Sequence, residues 1–197
     1  METEARLFDC ALTVFAEKGY DRASIRDIIA AAGVTQPTLY YYCKNKLELF
    51  RRIIEVRGEA ALETLRVKLT EQPDSESQLR LLAVYTFELC VADLRAPQLM
   101  FQSFFGPRIP EVSDLVDPFS VARRSLIRDV LQKSQDASLI PASDLVQLES
   151  LFCSLIDHHV CVALRKPHPE QQLTPEIAHR IVDFFLAGAR SLNRFEH

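Results

Sequence analysis

The sequence predicts an all-α protein, and three observations carry that prediction. Apolar residues recur at helical spacing along nearly the whole chain, with no sustained period-2 alternation to compete. Ser, Thr, Asp and Asn stand where helices begin, often with Pro close behind, and Gly or polar breaks stand where they end. Hydrophobic residues make up 48% of the 197 residues, so the chain can bury a substantial core.

The first helix is expected over residues 3–18, with Leu7, Ala11, Val14 and Phe15 on one stripe and Gly19 suited to the left-handed position just past its end. Ser24 caps the second helix, with Asp27 three residues on to complete a capping pair. Ile25, Ile28, Ile29 and Ala32 form its i, i+3, i+4, i+7 stripe, and Gly33 ends it. Thr35 caps a third, short helix with Pro37 in its first turn, where a missing N–H costs little. Asn45, with Glu48 after it, opens a long fourth helix to about residue 69, followed by the polar break QPDSES at residues 72–77.

Further helices are expected over residues 77–94, from Pro97 to just before Gly106, from Asp117-Pro118 to about residue 135, over residues 142–164, and from Pro175 to about residue 194. Residues 107–116 are expected to be a loop. No internal repeat or low-complexity segment interrupts this series.

Net charge is −4, which alone argues against nucleic acid, but its distribution is uneven. Residues 1–52 carry a net +1 and residues 53–197 a net −5. Arg22, Arg26, Lys44, Lys46, Arg51 and Arg52 all flank the third helix. The opening METEARLF is acidic and amphipathic rather than a signal peptide, and no apolar run approaches the roughly 18 residues of a membrane span, so a cytoplasmic protein without membrane attachment is expected. The five cysteines are odd in number and have no C-x-x-C pair, which reads as small apolar residues in a reducing compartment.

Two short helices joined by a glycine turn form a helix-turn-helix. The DNA major groove admits one such helix, which must offer side chains that reach base edges and phosphates. Residues 35–42 supply Thr35, Gln36, Thr38, Tyr40, Tyr41 and Tyr42, with Lys44 and Lys46 following. Gln is able to read adenine, threonine methyls meet thymine methyls, and hydroxyls donate to phosphate. An ordinary helical hairpin with a polar face is the competing reading, though three consecutive tyrosines are awkward for a solvated face.

The run from Gly33 to Phe50, GVTQPTLYYYCKNKLELF, resembles the signature of the TetR family of bacterial transcriptional regulators, as do Ala11, Phe15, Ala16, Gly19, Tyr20, Ser24, Ile25, Ile28, Ile29 and Ala32 upstream. The close match covers about residues 5–52. The resemblance implies about nine helices: a helix-turn-helix DNA-binding domain over 1–52 and a helical ligand-binding and dimerisation domain over 53–197. It implies DNA contacts from Thr35, Gln36, Pro37, Thr38, Tyr40, Tyr41 and Lys46, with Arg26 on phosphate. Two departures from the family pattern bear on this. Cys43 stands where Phe is common, and Gln36 and Pro37 stand where Lys or Arg and Gly are frequent, so operator preference does not transfer from relatives.

The same resemblance places a dimer interface on the last two helices, where Leu148, Leu155, Ile181, Phe185, Gly188 and Leu192 are the candidates. Their apolar surfaces are wider than one core-facing stripe needs, which favours a two-fold homodimer. Phe87, Met100, Phe101, Phe104, Phe105, Phe119, Phe152 and His158 are the candidates to line a cavity for a hydrophobic effector; a packed core is the alternative use of the same residues. No cofactor or metal is expected, since the adjacent His158 and His159 face different ways on a helix.

The expected function is a ligand-responsive regulator, usually a repressor in this family. It binds a palindromic double-stranded operator as a homodimer and is released by a small hydrophobic effector. The alternatives are an activator, or a helical protein-interaction bundle without DNA binding. No phosphate loop, paired acid–base spacing or nucleophile motif supports an enzyme.

Overall fold

A computed structural model of the chain describes residues 2–191. Among them are nine α-helices and one 3-10 turn, and no strand. The helices are α1 (Glu2–Arg22), α2 (Ile25–Ala32), α3 (Gln36–Tyr42), α4 (Lys46–Thr70), α5 (Ser75–Ala92), α6 (Arg95–Phe105), α7 (Pro110–Asp136), α8 (Leu145–Ala163) and α9 (Pro175–Ser191). The chain forms two compact units, Met1–Ala60 with Asp93–Phe119, and Ala61–Ala92 with Ser120–His197. Helices α4 and α7 each run through both.

The first unit is built around Leu7, Phe15, Ile28, Leu39, Leu49, Phe50 and Leu99, all at most 1% exposed. Phe15, Tyr20 and Phe50 pack as a trio with ring centroids 5.1–5.9 Å apart. Each such side chain contributes about 1.5–3 kcal/mol of burial energy. Regular helix in α1 breaks at Gly19, where the sequence places its end, but the φ of 76° and ψ of 161° lie outside the left-handed α region expected there, in extended positive-φ backbone open to glycine. Helix α6 packs along α1 within this unit.

Helix α7 departs from the sequence reading. Residues 110–116, expected as loop, are helical, and Pro118 lies inside the helix rather than at its start. The interior proline forfeits a main-chain hydrogen bond and costs about 3 kcal/mol. Burial of Val112 and Val116 in the first unit's core offsets that cost. Pro110 takes the tolerated place in the first turn, and the Ile109 carbonyl accepts from the amides of Val112 and Ser113.

In the second unit, α5 packs against α8 and α9 over Leu79, Leu82, Phe87, Phe152, Ile156, Val182 and Leu186. Helix α8, at 19 residues and a mean hydropathy of 1.2, is long and apolar enough to cross a membrane by composition, which the sequence reading overlooked. It carries Glu149 and Asp157, each paired with arginine from α7, and its buried stripe belongs to this unit's core.

Candidate nucleic-acid interface

Local chemistry sets the helix-turn-helix. The Asp27 amide donates to Ser24 Oγ at 3.1 Å, and the Ser24 amide donates to Asp27 Oδ2 at 3.0 Å, closing a reciprocal cap on α2. The Lys18 ammonium, 2.7 Å from Asp27 Oδ1, together with the Ser24 donors, holds that carboxyl down to about 2. Gly33 takes the left-handed conformation at φ 61° and returns its amide to the Ile29 carbonyl. Thr35 then caps α3, its hydroxyl 2.8 Å from that of Thr38.

Leu39 anchors α3 in the core at 0% exposure, so the opposite face turns outward. Tyr41 is 83% exposed and Tyr40 45%. Arg26, Thr35, Gln36 and Pro37 are also exposed, and Thr38 is half-buried. At the far end, the Arg52 guanidinium donates to the Tyr42 carbonyl at 2.6 Å and to Glu4 at 2.8 Å, tying the end of α3 to α1 and α4. Cys43 is buried, and burial pushes its thiol up, as it does for Cys90, to about 12, and Cys153. These thiols therefore behave as small apolar groups.

Lys46 does not share the outward face. Its ammonium lies 2.9, 3.2 and 3.0 Å from the carbonyls of Tyr20, Asp21 and Ala23, and 4.4 Å from the Tyr20 ring centroid. Three N–H donors meet three carbonyls at the chain segment that follows the Gly19 break. Among the cations flanking α3, Lys46, Arg51, Arg52 and Arg22 all bind protein groups, whereas Arg26 and Lys44 make no side-chain hydrogen bond or ion pair with any described residue.

Sequence reasoning missed the docking of α6. Arg95 reaches Asp9 Oδ1 and Thr13 Oγ1, each at 2.7 Å, and its partner Asp93 also pairs with Arg57. Seven residues along the same face of α6, the Gln102 amide donates to the Ala16 carbonyl at 2.7 Å. The seven-residue spacing is a local signal; the partners 86 residues away are not.

The proposed effector residues divide between the units. Met100 and Phe119 pack partly buried against the first unit's core, and Phe101, half-buried, belongs to the same unit. In the second unit Phe87 stacks on His159 at 5.5 Å, and Phe152 meets Phe185 edge-on at 5.0 Å, both as packed core. His158 is exposed. The side chains of Phe104 and Phe105 lie outside the described residues, as does Leu192. Two shallow clefts, of about 560 and 460 Å³, border the turn at residues 137–142 rather than these aromatics.

The interface candidates also separate. Leu148 and Phe185 are 2% and 5% exposed, inside the unit's own core. Leu155 is 43% exposed, and with Leu151, His158 and Val162 it forms an outward stripe on α8. On α9, Ile177, Ile181, Phe184 and Gly188 repeat the same four-three-four spacing, with Phe184 77% exposed and open space at Gly188.

Residues 7–53 match the family model described as bacterial regulatory proteins, tetR family. The HTH-type transcriptional activator FasR of Mycolicibacterium smegmatis is 26% identical over 138 residues, 70% of this chain and 62% of that protein. The HTH-type transcriptional regulator AcrR of Shigella flexneri is 34% identical over 103 residues, 50% of this chain and 46% of that protein. The matches thus span about half to three-fifths of these curated relatives' lengths. The crystal structure of FadR from Bacillus subtilis, in complex with stearoyl-CoA, shares the fold with a TM-score of 0.78 at 18% identity, over 93% of this chain and 98% of that one.

Proposed function

From the match of residues 7–53 to the tetR family model, we propose that this chain is a ligand-responsive transcriptional regulator of that family, acting from the cytoplasm as a homodimer on a palindromic operator. The observation that carries the reading is the outward face of α3, with Tyr41 83% exposed on a helix anchored by the fully buried Leu39. A short helix reads too few base pairs for a specific site. Two copies reading half-sites roughly 34–36 Å apart supply the rest. The α8 and α9 stripes are the surface offered to the second copy, since exposed apolar patches of this kind mark association sites.

Thr35, Gln36, Pro37, Tyr40 and Tyr41 face the groove, and Arg26 and Lys44 hold phosphates. Lys46 is a positioning residue that fixes the chain after α1. The regulator acts as a repressor released by a small hydrophobic effector, which biases the equilibrium between DNA-binding and released states through α4 and α6. Support for a ligand role comes from FadR, which was solved with stearoyl-CoA and shares the fold. An activator is the second reading, favoured by the activator name of FasR.

The test is a mobility shift on DNA upstream of the protein's own gene, with a footprint and a promoter reporter. Two-fold protection, lower reporter output with the protein present, and loss of the shift with a ligand that carries a long apolar chain, such as a long-chain acyl-CoA, are expected. Raised reporter output assigns an activator, and absence of any shift with folded protein removes the DNA-binding reading.

A further inference from the structure

We infer that α3 reads A·T base pairs, with Gln36 as the adenine-specifying residue, and that no guanine is read from this helix. The inference rests on the DNA-binding reading of α3. Guanine presents two acceptors, O6 and N7, in the major groove, and two donors on one side chain, usually Arg or Lys, are needed to bridge them. Helix α3, QPTLYYY, carries neither residue. Of the flanking cations, Lys46 is bound to three carbonyls and Arg52 to Tyr42 and Glu4, while Arg26 and Lys44 stand outside α3 and take the phosphate role given to them above.

Adenine instead presents one acceptor, N7, beside one donor, N6–H₂, the complement of a carboxamide. Gln36 is the single carboxamide on α3, exposed at its first residue, with no hydrogen bond to any described residue. Both halves of its amide are therefore available. Beside it, exposed Pro37 and Tyr40 present apolar surface suited to the thymine 5-methyl group. The Thr35 and Thr38 hydroxyls are engaged with each other at 2.8 Å, which leaves one O–H donor between them. That is too little for bidentate guanine recognition.

The test selects duplexes from a randomised pool with the full-length protein, wild type and variants, after circular dichroism has shown each to be folded. An A·T pair at one position in each half-site is expected. Gln36→Ala lowers discrimination there roughly tenfold and leaves other positions unchanged. Gln36→Arg moves the preference to guanine. Selection of G·C by the wild type at the position that Gln36 variants alter overturns the inference, as does an unchanged preference in Gln36→Ala. If the folded wild type retains no duplex at low salt, the DNA-binding reading itself has failed. If Gln36→Arg does not fold, Gln36→Ala decides alone.

Discussion

Arg95 of α6 closes on Asp9 of α1, Nη2 to Oδ1, at 2.7 Å. The same guanidinium reaches Thr13 and is braced by Asp93, so one side chain holds α6 to the helix that precedes the helix-turn-helix. Gln102 makes the second tie, to the Ala16 carbonyl. A shift of α6 therefore has a direct route to α1.

Arg95→Met should cut one of those two ties. The groups are partly exposed, so the expected loss is about 1 kcal/mol, read as a fall of about 2–4 °C in melting temperature. Operator release by the effector should need more ligand than in the wild type, measured by titration of the mobility shift.

Acid should loosen the same joint. Asp93 is held down to about 2, first by its hydrogen bond to Arg95, against a burial effect that raises it. A folded pKa below the ordinary 3.8 stabilises the protein above that value, and the stabilisation is lost as pH falls from there through about 2. Asp93→Asn should flatten the melting temperature's dependence on pH in that window. An unchanged slope would show that Asp93 is not the group responsible.

Tyr41 and Lys46 should respond differently to truncation. Tyr41→Ala removes an exposed ring, so operator affinity should fall while stability changes by less than about 0.5 kcal/mol. Lys46→Ala leaves three carbonyls without their donor, so melting temperature and affinity should fall together. Thermal melts alongside mobility shifts separate the two outcomes.

Gly58 lies in the middle of α4, where alanine ordinarily stabilises a helix by about 1 kcal/mol. Here a β-carbon falls 2.6 Å from the Phe119 ring. Gly58→Ala should therefore destabilise, by about 1–3 kcal/mol, and the double variant with Phe119→Leu should recover much of the loss. A stabilised Gly58→Ala protein would refute this account of the contact.

Phe184→Glu places charge on the outward stripe of α9. Sedimentation should show a monomer with native helix content, and the mobility shift should disappear. A dimeric variant would move the interface away from this stripe.

The legible parts of this protein were those whose causes lie within a few residues. Ser24 with Asp27, Gly33, and Thr35 with Pro37 each specify a cap or a turn from adjacent chemistry, and the structure has all of them. Helix periodicity marked which residues were apolar but not which apolar face was covered. Leu148 and Leu155 lie on one helix seven residues apart, yet one is core and the other exposed. Lys46 was placed by its neighbours in sequence, whereas its partners are 23–26 residues away. Pro118 read as a helix start because local rules say so, and the burial of Val112 and Val116 overrides them.

The engagement of Lys46, Arg51 and Arg52 with protein groups has a consequence for the energetics of binding. Each phosphate neutralised on duplex DNA releases condensed counterions and adds about −0.9 to the slope of log affinity against log salt. With Arg26 and Lys44 the cations beside α3 that engage no other described residue, a dimer would neutralise about four phosphates from these positions, for a slope of roughly −3 to −4. Such a regulator draws a large share of its affinity from neutral contacts and would hold its operator across a wide range of intracellular ionic strength.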